Sequence, residues 1–156
     1  MTATIRPATP ADARRLAELR YEFRSPRSAN TESREEFLRR CTDWMREHLG
    51  SGTWFCWVAV RDGTIVGHVW LNLIEKIPNP VAEAEWHGYI TNMYVQEAAR
   101  GGVGGALMDA ALAFCASREV DSIILWPTQG SRTLYGRKGF TVNDTIMSRE
   151  SRPAHP

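Results

Sequence analysis

Four glycines crowd into five positions of this chain: Gly101, Gly102, Gly104 and Gly105. Glycine inside a helix start costs about 1 kcal/mol per residue relative to alanine, so close packing alone does not account for four of them. A glycine turn that opens a helix presents bare backbone N–H groups at the positive end of the helix dipole. Such a turn binds anions, most often phosphate. The chemistry it predicts is recognition of a phosphorylated molecule by backbone rather than by side chains.

The flanking patterns supply the elements that would position this turn. Upstream, Tyr89 to Val95 is rich in β-branched and aromatic residues and predicts a strand. Downstream, Val103, Ala106, Leu107, Ala110, Ala111, Phe114 and Cys115 form one apolar stripe at helical spacing. Strand, turn and helix therefore follow one another over residues 87–108 and beyond.

The rest of the chain reads as short alternating elements. Residues 3–8 predict a first strand, and Thr9, Pro10 and Asp12 predict a capped helix start. That helix ends near Arg24, because Pro26 disfavours helix at Ser25. Ser33 and Glu36 are spaced as a capping box for a second helix, with Gly50 placed to end it. Thr53 to Val60 and Ile65 to Ile74 predict a hairpin about an Asp62-Gly63 turn. On the second of these strands Val66, His68, Trp70, Asn72 and Ile74 share a face of mixed polarity, as at the wall of a site. Asp121 to Trp126 predicts a buried strand, Ser131 to Lys138 a short helix stopped by Gly139, and Phe140 to Met147 a last strand. The fold class is α/β (α+β): a mixed, mostly antiparallel central sheet flanked by helices, with one parallel junction. A single domain over 1–156 is expected, with 148–156 a loose tail.

Composition narrows the function classes. The chain is globular in character, with 43% hydrophobic and 24% charged residues, and its net charge of +1 gives no reason to expect nucleic acid. Charge is uneven: residues 51–99 hold two basic and five acidic side chains, residues 100–156 seven basic and five acidic. A solvated surface explains this, as would an acidic pocket for a cationic substrate beside a basic one for an anionic cofactor. The three cysteines, Cys41, Cys56 and Cys115, lack metal-ligand or paired-redox spacing, so free thiols in a reducing cytoplasm are expected, with no metal. No signal-peptide core and no run of ~20 apolar residues is present, so no membrane partner is expected.

The glycine turn lacks the GxxxxGK[ST] phosphate loop. It approaches a dinucleotide fingerprint, but Leu107 stands where the third glycine belongs and too little chain follows for a doubly wound domain. It resembles instead the GNAT superfamily of N-acetyltransferases. Asn92-Met93-Tyr94-Val95 ends the strand, and Gly102-Val103-Gly104-Gly105-Ala106-Leu107 is similar to that superfamily's Gly-Ile-Gly-x-Ala-Leu helix opening. Leu134-Tyr135, followed by Gly139-Phe140, is similar to its second motif, and residues 5–12 resemble its opening strand and helix. One position departs: with Gly102 as the first motif glycine, Ala99 stands where the superfamily has Gln or Arg.

The resemblance implies a GNAT-like acyl-CoA N-acyltransferase fold and transfer of an acetyl group from acetyl-CoA directly to a primary amine, of a small molecule first. Acetylation of a protein or peptide amine, or a non-catalytic acyl-CoA-binding module, is the alternative. It implies a cofactor site at Met93, Tyr94, Val95, Arg100, Gly101, Gly102, Val103, Gly104 and Gly105. Tyr135 would be the acid that protonates the leaving thiolate, since a phenol is protonated at neutral pH. A general base would come from Glu85 or His87, which alternate onto one strand face with Tyr89 and Thr91, or from His68 on the neighbouring strand. The acceptor pocket would draw on Tyr21, Phe23, Trp70, Glu75, Glu83 and Trp86, whose acids and rings suit a cationic amine. A homodimer is left open.

Overall fold

The structure is a computed structural model that describes residues 2–151. Five strands lie in sequence order across one open sheet: β1 (Thr4–Pro7), β2 (Trp54–Arg61), β3 (Thr64–Glu75), β4 (Trp86–Val95) and β5 (Ser122–Leu125). The first four pair antiparallel, and β5 joins β4 in parallel. A parallel junction needs a crossover, and here it is α3 (Val103–Ser117). The other helices of this part are α1 (Ala13–Arg24) and α2 (Arg34–His48). The expected mixed, mostly antiparallel sheet flanked by helices is what forms.

Local chemistry sets the element ends. Ser33 Oγ accepts from the Glu36 N–H while the Glu36 carboxylate accepts from the Ser33 N–H at 2.9 Å, so α2 begins on the capping box. Asp12 accepts a bidentate pair from Arg6 at 2.8 and 3.0 Å and the Thr9 N–H at 2.8 Å, tying β1 to the turn before α1. The Arg6 hydrogen bonds hold the Asp12 carboxyl below its usual range. Asp62 and Gly63, with φ of +50° and +74°, make the tight turn that joins β2 to β3.

Two layers of side chains hold the sheet. On one face Leu16, Ala17 and Leu19 of α1 and Leu38 and Met45 of α2 pack on Cys56, Val58, Ile65 and Trp70. On the other, Phe114 of α3 meets Phe55 and Trp57 with ring centroids 4.4 and 5.3 Å apart. Leu107, Met108, Ala111 and Cys115 of α3 are buried. Each large apolar side chain buried here contributes roughly 1.5–3 kcal/mol before chain entropy is counted. A bulge corrects one expectation: Val60 pairs with Ile65 and Ala59 with Gly67, so Val66 is an extra residue. Val66 therefore leaves the face it was expected to share with His68 and Trp70, and Ile65 takes that side, against α1.

Backbone contacts divide the chain into two compact units after Trp126. The second unit begins at Pro127 and holds α4 (Arg132–Arg137), which Gly139 follows at φ +88°. The Phe140 N–H closes on the Tyr135 carbonyl at 3.0 Å. The last strand expected over 140–147 does not form. Asn143 Oδ1 instead accepts from the Thr145 N–H at 2.9 Å and its hydroxyl at 2.6 Å, a side-chain turn that interrupts the extended run. Of the expected loose tail, 148–151 carry no helix or strand and 152–156 lie outside the described residues. Among the described residues no helix is long and apolar enough to cross a membrane.

Candidate active site

β4 changes character part-way along. From His87 to Ile90 it is paired on both sides, with β3 and with β5. β5 then ends at Leu125, and Thr91 to Val95 have no strand partner on that side among the described residues. At the same place β4 takes on an extra residue: Trp70 pairs with Thr91 but His68 with Tyr94. Asn92 sits in this bulge with φ +50°, and its Oδ1 accepts from Arg20 Nη1 of α1 at 2.9 Å. The result is an open backbone edge that leads into the glycine turn.

That turn has the conformation its sequence calls for. After a short 3-10 turn at Glu97–Ala99, Gly101 and Gly102 adopt φ of +111° and +90°. Nothing lies within 4 Å of where a side chain would start at either one, so conformation rather than space requires glycine there. The first closed bond of α3 is Ala106 N–H to Gly102 carbonyl at 3.0 Å. The N–H groups of Val103, Gly104 and Gly105 precede it and have no acceptor within the helix. Arg100 is exposed beside them. An anion placed at this turn meets fixed N–H donors, the helix dipole and a guanidinium.

The Tyr94 side chain is committed elsewhere. Its hydroxyl donates to Glu22 at 2.7 Å, and its ring stacks on Phe23 at 5.2 Å. Desolvation and then the Glu22 carboxylate push the phenol up to about 12. Gln96 donates to the same carboxylate at 3.0 Å, so α1 is clamped to the end of β4. Gly67 of β3 makes the opposite contact. A Cβ there would lie 2.9 Å from the Tyr94 carbonyl and 3.0 Å from Val95 Cγ2. Gly67→Ala is expected to push the end of β4 off β3, costing about 1–3 kcal/mol as overpacked cores do. A denaturant midpoint unchanged from wild type would show that the strands yield freely.

Two of the base candidates, Glu85 and His87, lie apart from this end. Glu85 precedes β4 with φ +64°, so it does not share the alternation of His87, Tyr89 and Thr91. His87 Nδ1 is hydrogen-bonded to the Ser122 hydroxyl of β5. Seven residues of strand at ~3.3 Å each put His87 roughly 20 Å from Tyr94. His68 is fully buried and no base of useful strength: desolvation, then the Arg20 charge, lowers it to about 3. Tyr135 of α4 is half-buried, and burial raises its phenol, with the Ser131 hydroxyl working the other way. It stays protonated at neutral pH.

A pocket of about 460 Å³ opens on the α1–α2 side of the sheet, against the bulge in β4. Trp70 lines it as expected, joined by Tyr89 and Thr91 of the strand face already noted and by Arg20, Arg40, Cys41, Trp44 and Trp54, which the sequence did not single out for a pocket. Arg20 carried one signal: it follows Leu16 by four residues, a charge on the buried side of α1. The expected glutamates are absent from the lining. Lys76 Nζ donates to Glu83 and to Asp121, both at 2.8 Å, so Glu83 is committed to an ion-pair cluster away from the pocket.

The sequence model of the acetyltransferase (GNAT) family matches residues 14–140. No protein of curated function matches the chain. Solved structures do. A GCN5-related N-acetyltransferase from Ralstonia eutropha JMP134 is 28% identical, with 95% of this chain and 97% of that one covered and a TM-score of 0.77. A predicted acetyltransferase from Clostridium acetobutylicum, solved with acetyl-CoA, is 21% identical over 95% and 96% of the two chains, TM-score 0.80. The glucosamine-6-phosphate N-acetyltransferase of Arabidopsis thaliana is 20% identical over 97% and 100%, TM-score 0.72.

Proposed function

The chain belongs to the acetyltransferase (GNAT) family, whose model covers most of it, and from that premise we propose that it moves an acetyl group from acetyl-CoA directly to a primary amine of a small molecule. The observation that carries this is the unpartnered edge of β4, Thr91 to Val95, running into the Gly101–Gly102 turn and the open start of α3. A pantetheine chain is an amide-bearing strand mimic suited to such an edge. A pyrophosphate suits the N–H groups of Val103, Gly104 and Gly105, with Arg100 beside them. The acetyl-CoA in the Clostridium structure and the amino sugar in the name of the Arabidopsis enzyme support the two substrates.

In the proposed reaction the neutral amine attacks the thioester carbonyl carbon. A C–N bond forms, and the tetrahedral oxyanion is held by backbone N–H at Tyr94 or Val95. The C–S bond then breaks, and Tyr135 gives its proton to the leaving thiolate and regains one from solvent. The amine's proton leaves to water, since Glu85 and His87 stand at the other end of β4. Free thiols at Cys41, Cys56 and Cys115 suit a reducing cytoplasm as the place of action.

Release of CoA thiol in the presence of a panel of amines tests the activity. Tyr135→Phe should lower kcat on the order of 10²-fold, the scale of general acid catalysis, with acetyl-CoA affinity unchanged. Undiminished kcat would remove Tyr135 from the acid role. Tight acetyl-CoA binding with no thiol release on any amine or peptide would leave a binding module.

A further inference from the structure

The pocket beside the β4 bulge has an uneven chemistry. Its volume of about 460 Å³ falls within the usual range of small-molecule sites, ~300–1,000 Å³. Its lining includes two guanidinium groups and no carboxylate. Arg40 is already paired with Glu32 on the rim. Arg20 is not paired with any carboxylate among the described residues. It is partly withdrawn from water, and the one hydrogen bond it donates goes to a neutral amide, Asn92 Oδ1. A cation held this way is short of a counter-ion, because burial weakens hydration and an amide does not replace it.

A second donor stands in the same wall. Trp70 is 2% exposed, and its indole N–H has no acceptor among the described residues. Buried indole N–H groups ordinarily find a partner. The remaining wall is aromatic: Trp44 and Trp54 lie 5.9 and 6.3 Å from Trp70, ring centroid to centroid, and Tyr89 closes the side toward β5. A guanidinium without a carboxylate, set among rings, selects an acidic oxygen group attached to an apolar, planar body.

We infer that the acceptor is a primary amine that carries both an aromatic ring and a carboxylate, the ring lying among Trp44, Trp54 and Trp70 and the carboxylate on Arg20. This rests on the acetyl-transfer reading above and reverses the expectation of a cationic substrate in an acidic pocket. Arg20 is a specificity residue in this scheme. The planar guanidinium can meet both carboxylate oxygens. Its link to Asn92 fixes the carboxylate beside the bulge, next to the strand segment where the thioester would lie. The amine is thereby brought to the acetyl carbon.

The test uses two products that differ only by the carboxylate, N-acetyl-phenylalanine and N-acetyl-phenethylamine, titrated calorimetrically into the CoA-loaded protein. At least tenfold tighter binding of the carboxylate is expected. Arg20→Gln should erase that preference and Arg20→Lys restore part of it, with acetyl-CoA affinity and Tm measured on each to exclude misfolding. Thiol release is followed in parallel with phenylalanine, phenethylamine and glucosamine 6-phosphate. Equal or better binding of the uncharged product, or no binding of either, overturns the inference. Turnover of phenethylamine or the sugar phosphate in preference to phenylalanine also overturns it, while leaving acetyl transfer intact. Carboxylate-selective binding lost in Arg20→Gln, with no thiol release from any amine, upholds the pocket's specificity and removes the transferase reading instead.

Discussion

Gly104→Asp is expected to abolish acetyl-CoA binding in a protein that folds at least as well as the wild type. The two halves of that expectation pull apart for physical reasons. Gly104 sits in the first turn of α3, where aspartate regains about 0.3 kcal/mol of helix propensity over glycine and alanine about 1 kcal/mol. An acid in a first helical turn adds a further 0.3–1 kcal/mol or so against the helix dipole. Toward a pyrophosphate the same carboxylate acts oppositely. Two like charges about 4 Å apart repel by about 4 kcal/mol at the effective dielectric near a protein surface, a loss on the order of 10³-fold in affinity. Gly104→Ala separates bulk from charge, since it keeps the propensity gain and adds one methyl group. Calorimetric titration with acetyl-CoA reads the binding and thermal melting reads the fold. Near-normal affinity in the aspartate variant would place the pyrophosphate away from α3. Lost affinity together with a large fall in Tm would make the effect structural.

Much of the fold was legible because its signals are local. The Ser33–Glu36 capping box, the Asp62-Gly63 turn and the Gly101–Gly102 break each lie within a few residues of the backbone they control. What could not be read depends on partners distant in sequence. Phe140 to Met147 alternates well enough for a strand, but the Asn143 side chain captures Thr145 and leaves Val142 and Met147 almost fully exposed, 88% and 95%. The two bulges, at Val66 and Asn92, move side chains across the sheet without any composition cue. Glu85 loses its place beside His87 through one left-handed residue.

The candidate site divides in the same way. The glycine turn proposed for the cofactor is one contiguous stretch. The pocket proposed for the acceptor gathers residues from α1, α2 and three strands, and no spacing rule joins Arg20 to Trp54 or Tyr89. Its lining is basic rather than acidic, because Glu83, near Trp86 in sequence, pairs with Lys76 instead. The position of Arg20, a charge four residues after Leu16 on α1, is the sequence's one pointer to the basic character of this pocket.

His68 supplies the largest expected pH effect on stability. It is fully buried on β3, 6.4 Å from the Tyr94 ring, with Arg20 of α1 as the nearby charge that disfavours its cation. The Asn92 backbone favours the charged ring slightly, but neither ring nitrogen makes a hydrogen bond of normal geometry. Desolvation dominates and holds the folded-state pKa at about 3, against 6.5 for an exposed histidine. The folded protein therefore refuses a proton that the unfolded chain accepts. Stability from this group is complete above pH ~6.5 and is lost as pH falls toward 3, at about 1.4 kcal/mol per pH unit. Between pH 6.5 and 5 the loss is about 2 kcal/mol, in a range where the paired carboxylates Asp12, Glu83 and Asp121, all held low, remain ionised. Urea unfolding at several pH values reads the slope. In His68→Asn the overall stability falls, but the slope over this range should flatten by about one proton per molecule. The same slope in both proteins would mean that His68 takes up its proton in the folded state and is not the neutral, desolvated ring described here.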